Sequence, residues 1–298
     1  MNLTCISLAI LLSVSPLPKS AASDICEPIE PTVMLLSDET VAPITVEEYV
    51  AGVVAHEMPY TFSEEALKAQ AVAARTYLYY CLSNDSHPHE NADVCTDVTH
   101  CCGFITKSQL ADRYGETHAK QATDAARDAA YSTAGEVLMY DNAPILALWH
   151  SSSHERTEDC SAVFGQSLPY LVSVVTEEIT DTHIVSFSIG DIKKRLKAAG
   201  YKCDGTANVS VTHNFSGRCA TFKLGNITLD GRAARTVFGL RSTDFTAQFM
   251  GGRLYFFVSG YGHGVGMSQY GADYMAQNGA GYEEILTHYY SGTVIEHQ

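Results

Sequence analysis

Apolar residues first recur at helical spacing in the stretch that leads to Glu57. The buried face of the predicted helix would hold Val46, Tyr49, Val50, Val53 and Val54, which follow the i, i+3, i+4, i+7, i+8 pattern. Thr45 and Glu48 are spaced as a capping box at the start of this helix. Pro59 disfavours helical geometry at Met58. The pattern therefore predicts a helix that ends at or just after Glu57.

Other helices are predicted from alanine-rich stretches. Residues 63–80 carry one apolar stripe and predict a second helix, which would form a tight hairpin with the first. Residues 81–107 are polar and show no clear period, whereas residues 117–132 are again alanine-rich and helical in pattern. Residues 191–199 predict a further helix that Gly200 would end.

Short strands are predicted in the second half of the chain. EVLMY and ILALWH surround the turn sequence Asp141 to Pro144, which predicts a β-hairpin. Further strands are predicted at VSFSI, ANVSVTH, CATFKL, DFTAQFM and RLYFFV. These elements together predict an α+β fold, in which a helical hairpin that carries Glu57 packs with a β-rich lobe.

Composition limits the partners of the chain. Of its 298 residues 46% are apolar, which is enough for a sizeable core. The 34 acidic residues against 19 basic ones give a net charge of −15. This charge opposes binding to nucleic acid and to anionic membranes by Coulomb repulsion, so a neutral or zwitterionic polymer is the easier substrate.

The N-terminus predicts export. Leu3 to Pro16 is an apolar run too short to span a bilayer, and the small residues Ser20 to Ala22 follow it. We therefore expect a signal peptide or N-terminal anchor in residues 1–25, a single functional domain in residues 26–298, and a location in the periplasm or at the cell wall. The first cation is only Lys19, so an uncleaved anchor, a later start codon or a buried N-terminal helix are the alternatives.

The position of Glu57 suits an acid catalyst. At the end of a helix, the macrodipole and the unpaired carbonyls disfavour a negative charge, which suits a group that must donate a proton. Taken alone, however, a glutamate at this position is more typical of a solvated helix end.

A cluster of histidines and cysteines predicts a metal site. The predicted ligands are two imidazoles and two thiolates within thirteen residues, namely His89, Cys95, His100 and Cys101. This donor set suits tetrahedral zinc, and four protein ligands leave no position for an activated water, so the zinc would be structural. Cys102 and His87 are alternative ligands, and an unliganded loop or a disulfide between Cys95 and Cys101 are alternative interpretations.

A glycine-rich loop predicts a ligand-binding wall. The alternating glycines of residues 260–266 let the backbone approach a ligand closely, and a helix should begin near Met267 or Ser268. A structural turn is the default interpretation of such a loop. His263 among these glycines can equally satisfy a buried carbonyl.

Three blocks together resemble the stage II sporulation protein D (SpoIID) family of peptidoglycan lytic transglycosylases and amidase enhancers. Residues 46–80 are similar to the family's signature around Glu-Met-Pro, residues 95–101 to its cysteine and His-Cys cluster, and residues 259–295 to its C-terminal motif. The chain departs from the family pattern at two places, which affect the expected wall of the substrate groove and the redox state of the cysteines. Cys102 stands where the family commonly has glutamine, and residues 153–156 replace a common Ser-Gly-Gly stretch.

The resemblance implies a reaction and its site. Glu57 would protonate the oxygen that leaves N-acetylmuramic acid, then take a proton from the C6 hydroxyl of that sugar, which closes a 1,6-anhydro ring without water. The implied substrate is denuded glycan, in sporulation engulfment or septal remodelling, with a cell-wall amidase as a possible partner. The implied or candidate substrate-binding residues are Lys68, Gln70, Arg75, His263, Gly264, Ser268, Gln269 and Tyr270.

Two other functions remain open. A non-catalytic wall-binding module could enhance a partner amidase, but pure binding would not require an intact Glu57. A zinc hydrolase would need an open coordination position, against which the count of four ligands argues.

Overall fold

The computed structural model describes residues 30–37, 39–84, 89–97, 101–179, 182–203 and 208–298. The predicted signal segment and the candidate ligands His87 and His100 lie outside the described residues. Pro31–Gln298 form one compact unit that contains two hydrophobic clusters, one around the N-terminal helices and one within residues 187–258. Among the described residues, no helix is both long enough and apolar enough to cross a bilayer.

The fold is a mixed α+β fold, as predicted. Its helices are α1 (Val46–Glu57), α2 (Glu64–Ser83), α3 (Lys107–Tyr114), α4 (Glu116–Ser132), α5 (Cys160–Phe164), α6 (Ile189–Ala198), α7 (Gly231–Phe238), α8 (Gln269–Gln277) and α9 (Tyr282–Tyr289). Its strands are β1 (Thr32–Ser37), β2 (Thr40–Thr45), β3 (Val94–Cys95), β4 (Glu136–Tyr140), β5 (Ala143–Pro144), β6 (Trp149–His150), β7 (His183–Ser188), β8 (Val209–His213), β9 (Cys219–Leu224), β10 (Ile227–Leu229), β11 (Phe245–Met250), β12 (Arg253–Val258), β13 (Met267–Ser268) and β14 (Val294–His297).

Helices α1 and α2 pack against each other and against α4. The Thr45 hydroxyl accepts the backbone N–H of Glu48 at 3.3 Å, so the first half of the predicted capping box is present, whereas the Glu48 carboxylate accepts the hydroxyl of Tyr131 at 2.8 Å. Met58 leaves helical geometry, with φ −118° and ψ 142°, which is the extended conformation that a following proline favours. The chain therefore ends α1 at Glu57 as the sequence predicts.

The predicted hairpin after Gly135 forms over only two residue pairs. β5 pairs with the end of β4 along one edge, and β14 pairs with β4 along the opposite edge, so β4 is the central strand in the order β14-β4-β5. The remaining ILALWH run turns away, and its last two residues, Trp149 and His150, pair in parallel with β13. The prediction was wrong here because the strand partners come from the far end of the chain, which a local pattern does not reveal.

The β-rich lobe contains the sheets β11-β12-β7 and β10-β9-β8 together with α6 and α7. Its core is aromatic, with the rings of Phe238 and Phe256 4.8 Å apart and those of Phe222 and Phe245 packed around them. Aromatic side chains each bury a large apolar area, so four of them stabilise a small lobe strongly. From α7, Nη1 of Arg232 donates a hydrogen bond to the carbonyl of Val163 in α5.

Candidate active site

The side chain of Glu57 lies in a groove of about 480 Å³. The groove is lined from α1, from α2, from residues 101–103, from the segment around β6 and from residues 261–269. Its walls include the side chains of Tyr77, Cys101, Trp149 and Gln269. The end of α1 therefore places Glu57 in a groove whose walls come from segments that are far apart in sequence.

The carboxylate of Glu57 has two neighbours. The indole Nε1 of Trp149 donates a hydrogen bond to Oε2 of Glu57 at 3.1 Å, and Nδ1 of His56 lies 3.5 Å from Oε1. The side chain of Glu57 is 23% exposed, so it is reachable from the groove. Among the described residues, Glu57 is the only carboxylate in the groove lining.

Two close contacts hold the cysteine-containing wall against α1. Gly52 faces the ring of Phe104, and Gly103 faces the imidazole of His56, so a Cβ atom at either glycine would collide with that ring. Phe104 also stacks on Tyr49 with ring centroids 5.8 Å apart. The segment that follows the cysteines therefore docks on the same helix that carries Glu57.

Three of the predicted metal ligands come together beside this wall. His89, Cys95 and Cys101 each offer a ligand atom, and these atoms lie within 4.8 Å of one another. Nitrogen and thiolate sulfur are the donors that zinc prefers. Cys95 belongs to β3, which pairs with β1, whereas Cys101 also lines the groove. The fourth predicted ligand, His100, lies outside the described residues, so its part in the cluster stays a prediction.

The glycine-rich loop is shaped by close backbone contacts. Gly264 has φ +85° and packs against the guanidinium of Arg218, whereas Gly266 has φ +73° and faces the carbonyl oxygen of Leu148. A side chain at either position would need a strained backbone and would collide with its neighbour. The loop is thus fixed in place, with His263 exposed to the groove.

Among the candidate substrate-binding residues, His263 and Gln269 line the groove directly. Gln70 is fully buried behind them, where its Oε1 accepts a hydrogen bond from Nε2 of Gln269 at 3.2 Å. Ser268 is buried and donates to Glu178 at 2.7 Å. Tyr270 is 46% exposed and lies beside a neighbouring depression with its ring against Phe62.

Lys68 and Arg75 do not meet the groove. Nζ of Lys68 forms ion pairs with Glu64 at 2.7 Å and Glu65 at 2.9 Å. Arg75 is 0% exposed, and its guanidinium pairs with the buried Glu47. Neither cation lines the groove and both form ion pairs within the protein, so the structure does not bring these two predicted residues to the site.

Arg75 also donates to backbone carbonyls. Its Nη2 donates to Ala130 O at 2.8 Å, and its Nη1 donates to Glu136 O at 3.1 Å. These bonds join α2 to the end of α4 and to the start of β4. The side chain therefore acts as an internal connector between elements.

A polar cluster that the sequence did not indicate begins at the groove wall, at His150. Nε2 of His150 lies 2.6 Å from the hydroxyl of Ser153, which also accepts Nη2 of Arg218 at 3.0 Å. Glu178 accepts the backbone N–H of Ser153. Burial lowers the pKa of His150 well below its usual range, so its imidazole is neutral. The departure of residues 153–156 from the family pattern was the only sign of this cluster in the sequence.

Comparison with known proteins gives consistent matches. A family model described as "Stage II sporulation protein" matches residues 37–140. The chain is 36% identical over 298 residues to stage II sporulation protein D of Bacillus subtilis, covering 95% of this chain and 84% of that protein. It is also 36% identical over 275 residues to stage II sporulation protein D of Bacillus amyloliquefaciens, covering 90% of this chain and 79% of that protein.

A more distant relative carries a different name. The chain is 26% identical over 302 residues to a Bacillus subtilis protein named "Amidase enhancer". That match covers 82% of this chain but 40% of the relative.

Proposed function

Since the chain belongs to the stage II sporulation protein D (SpoIID) family, we propose that it cleaves peptidoglycan glycan strands as a lytic transglycosylase. This proposal rests on the presence of a single carboxylate, that of Glu57, among the described residues that line the groove. Ordinary glycosidases need two carboxyl groups, one as acid and one to activate water or to attack carbon. A transglycosylase that uses an internal hydroxyl of the substrate needs only one.

The proposed reaction uses Glu57 twice. Its carboxyl proton passes to the oxygen between N-acetylmuramic acid and N-acetylglucosamine, and the glycosidic bond breaks. The resulting carboxylate then takes the proton of the C6 hydroxyl, whose oxygen bonds to C1 of the same sugar. The products are a 1,6-anhydro end and a free hydroxyl on the leaving sugar, and Glu57 has regained its proton.

Trp149 determines which carboxyl oxygen carries the transferable proton. The indole N–H can only donate, so it binds an oxygen that offers a lone pair. In the acid form of Glu57 the carbonyl oxygen is the stronger acceptor, so the contact with Oε2 favours the proton on Oε1. Trp149 is therefore a positioning residue for the acid. Its ring packs edge-on against Tyr77 at 6.0 Å, which restrains the indole.

Replacing Trp149 by phenylalanine should lower kcat about tenfold with little change in KM, because the ring remains in the groove while one charge-assisted hydrogen bond is lost. The rate of anhydro-product formation from denuded glycan measures this effect. Tyr131→Phe is the matched control, since it removes one hydrogen bond to a different glutamate, Glu48. An unchanged kcat, or a rise in KM alone, would remove Trp149 from the positioning role.

Product analysis tests the function itself. Purified protein incubated with denuded glycan strands should release fragments with 1,6-anhydro ends, which mass spectrometry distinguishes from reducing ends by the mass of one water. Reducing ends as the main product would instead indicate a hydrolase with a second carboxylate. We propose that the reaction takes place outside the cytoplasm, after export, during sporulation engulfment or septal remodelling.

The amidase-enhancing role is the second candidate, and the similarity to a protein of that name favours it. An enhancer would bind glycan and raise the rate of a separate cell-wall amidase without cutting the strand. Adding the chain to an amidase assay, with and without Glu57→Gln, separates the two roles. Equal stimulation by both forms, with no anhydro products, would favour the enhancer.

We further propose that His89, Cys95 and Cys101 hold a structural zinc ion, with His100 as the predicted fourth ligand. The donor types and their proximity fit this ion. Bound there, zinc would supply no bond-breaking chemistry but would fix the cysteine-containing wall of the groove. Because Cys101 lines the groove, loss of the ion should disturb the wall beside Glu57.

The purified protein should contain about one zinc per chain, and either Cys95→Ser or Cys101→Ser should lower both the zinc content and the Tm, because metal binding supports folding of the loop. Elemental analysis and thermal unfolding measure the two effects. Cys160→Ser is the control for zinc content, since this buried thiol lies in α5 outside the cluster. Full zinc occupancy in both cluster variants would exclude these cysteines as ligands.

A further inference from the structure

A second cavity, of about 730 Å³, adjoins the groove. It lies between α5 and the β-rich lobe, and its lining includes Phe164, Arg218, Arg232 and Arg235. His263 lines both this cavity and the groove. We call it the arginine cavity. The groove and the arginine cavity therefore meet at His263.

The three arginines of this cavity have only neutral hydrogen-bond partners. Nη1 of Arg232 donates to the carbonyl of Val163, and Nε of Arg235 donates to the carbonyl of Leu240 at 3.3 Å. Within the described ranges, none of the three lies within 4.0 Å of a carboxylate. Three arginines without ion pairs are unexpected in a chain with a net charge of −15.

Arg218 is the most constrained of the three. It is 1% exposed, its Nη2 donates to Ser153, and its Nε and Nη1 have no hydrogen-bond partner. Burial lowers the pKa of this guanidinium, and the charge of Arg235 lowers it further. A buried donor that lacks an acceptor costs free energy, and a charged one costs more.

Two carboxylates among the described residues line the cavity, those of Glu158 and Asp230, and neither forms an ion pair with the arginines; Asp230 instead caps the start of α7. Asp244, Glu158 and Glu178 favour the charged form of Arg218 from beyond ion-pair distance. Oε2 of Glu158 already accepts Nδ2 of Asn214 at 2.7 Å and the hydroxyl of Ser216 at 2.8 Å. An anion from outside the protein would meet donors that the protein leaves available.

The shape of the site favours a carboxylate on a sugar. The planar guanidinium matches a carboxylate in two-point hydrogen bonding. Phe164 is 51% exposed at the rim, and its ring lies edge-on to His263 at 5.6 Å, so an apolar face is available beside the arginines. Burial lowers the pKa of His263 to about 4, so at neutral pH this rim is uncharged.

We propose that the arginine cavity binds a carboxylate carried by the glycan strand whose backbone lies in the groove. This inference rests on the proposed function, because it takes peptidoglycan as the substrate. Two groups of that polymer have the required chemistry, the lactyl carboxylate of a stripped muramic acid and the carboxylates of a stem peptide. Binding of either would fix which sugar lies over Glu57, and would thus determine which bond is cut.

The test compares the affinities of three tetrasaccharides for the Glu57→Gln protein, which prevents cleavage during calorimetric titration. The first carries free lactyl carboxylates, the second carries the same groups as neutral carboxamides, and the third carries L-alanyl-D-glutamate, so that all its carboxylates belong to the peptide. We expect the first or the third to bind at least about tenfold more tightly than the neutral form, as charge-assisted hydrogen bonds predict. Whichever does so identifies the source of the carboxylate.

Arg235→Gln should abolish this preference, and so should Arg232→Gln, which removes an exposed side chain with little risk to folding. Arg253→Gln is the matched control, because it removes the same charge from the same lobe outside the cavity, where Arg253 contacts Ser186. The inference is overturned if neither charged ligand binds more tightly than the neutral one, or if Arg253→Gln lowers the preference as much as the cavity variants do.

Failure of this inference is distinguishable from failure of the proposed function. Anhydro products from the unaltered protein, with no preference among the three ligands, would reject the arginine cavity alone. A preference that depends on Arg235, with no anhydro products, would reject the transglycosylase and keep the carboxylate site.

Discussion

Replacing Glu57 by glutamine should lower the rate of glycan cleavage by at least about a hundredfold, because the amide keeps the shape of the side chain but has no proton to transfer. Glutamine also cannot accept the proton of the C6 hydroxyl in the second half of the reaction. Both proton transfers depend on one side chain in a groove that offers no second carboxylate among the described residues. The measurement is the initial rate of anhydro-end formation from denuded glycan.

The control for this variant must separate chemistry from folding and binding. Glu116→Gln makes the same change at an exposed position at the start of α4 and should keep the rate within about twofold. The Glu57→Gln protein should retain the Tm and the glycan affinity of the unaltered protein. A Glu57→Gln protein that keeps most of the activity would show that another group performs the proton transfer.

Replacing Arg75 by methionine should lower the free energy of unfolding by about 3–5 kcal/mol, because it leaves the buried charge of Glu47 unpaired. For a unit of this size the loss corresponds to a fall in Tm of about 10 °C. The carbonyls of Ala130 and Glu136 lose their donor at the same time. Thermal and denaturant unfolding measure the effect.

The double variant Arg75→Met with Glu47→Leu should recover part of this stability, since no buried charge then remains unpaired. At a temperature where Arg75→Met is folded, its KM should equal that of the unaltered protein, because Arg75 does not line the groove. A raised KM in a protein of normal stability would instead place this cation at the substrate.

Local patterns predicted the elements that carry Glu57. The helical spacing of the apolar residues, the N-terminal cap at Thr45 and Pro59 together predicted both ends of α1 correctly, because each of these signals acts over a few residues. The strands of the β-rich lobe other than β10 were also predicted from short apolar runs between turns, whereas β10 is only three residues long and was missed. By contrast α3, α5, α7 and α9 were not predicted, since all are short and their positions depend on tertiary packing.

The site was predictable in part. Glu57, His263 and Gln269, which the sequence indicated separately, line one groove, and three of the four predicted metal ligands approach one another. Trp149 and Arg218 were missed because their roles arise from contacts across 92 residues and 65 residues of sequence. Arg75 was misassigned because a helical pattern gives the face of a residue but not what covers that face.

The groove is formed by residues that are far apart in sequence, so during biosynthesis it cannot form until the later residues have been added. Glu57 lies in the first quarter of the sequence, but its wall includes Gln269, and β6 beside Trp149 is completed by pairing with β13. A nascent chain that has emerged only as far as α7 therefore carries the acid without the surface that would hold a glycan. Truncation before Met267 should therefore yield a protein with Glu57 intact but without the proposed activity, which the release of anhydro ends from denuded glycan would measure.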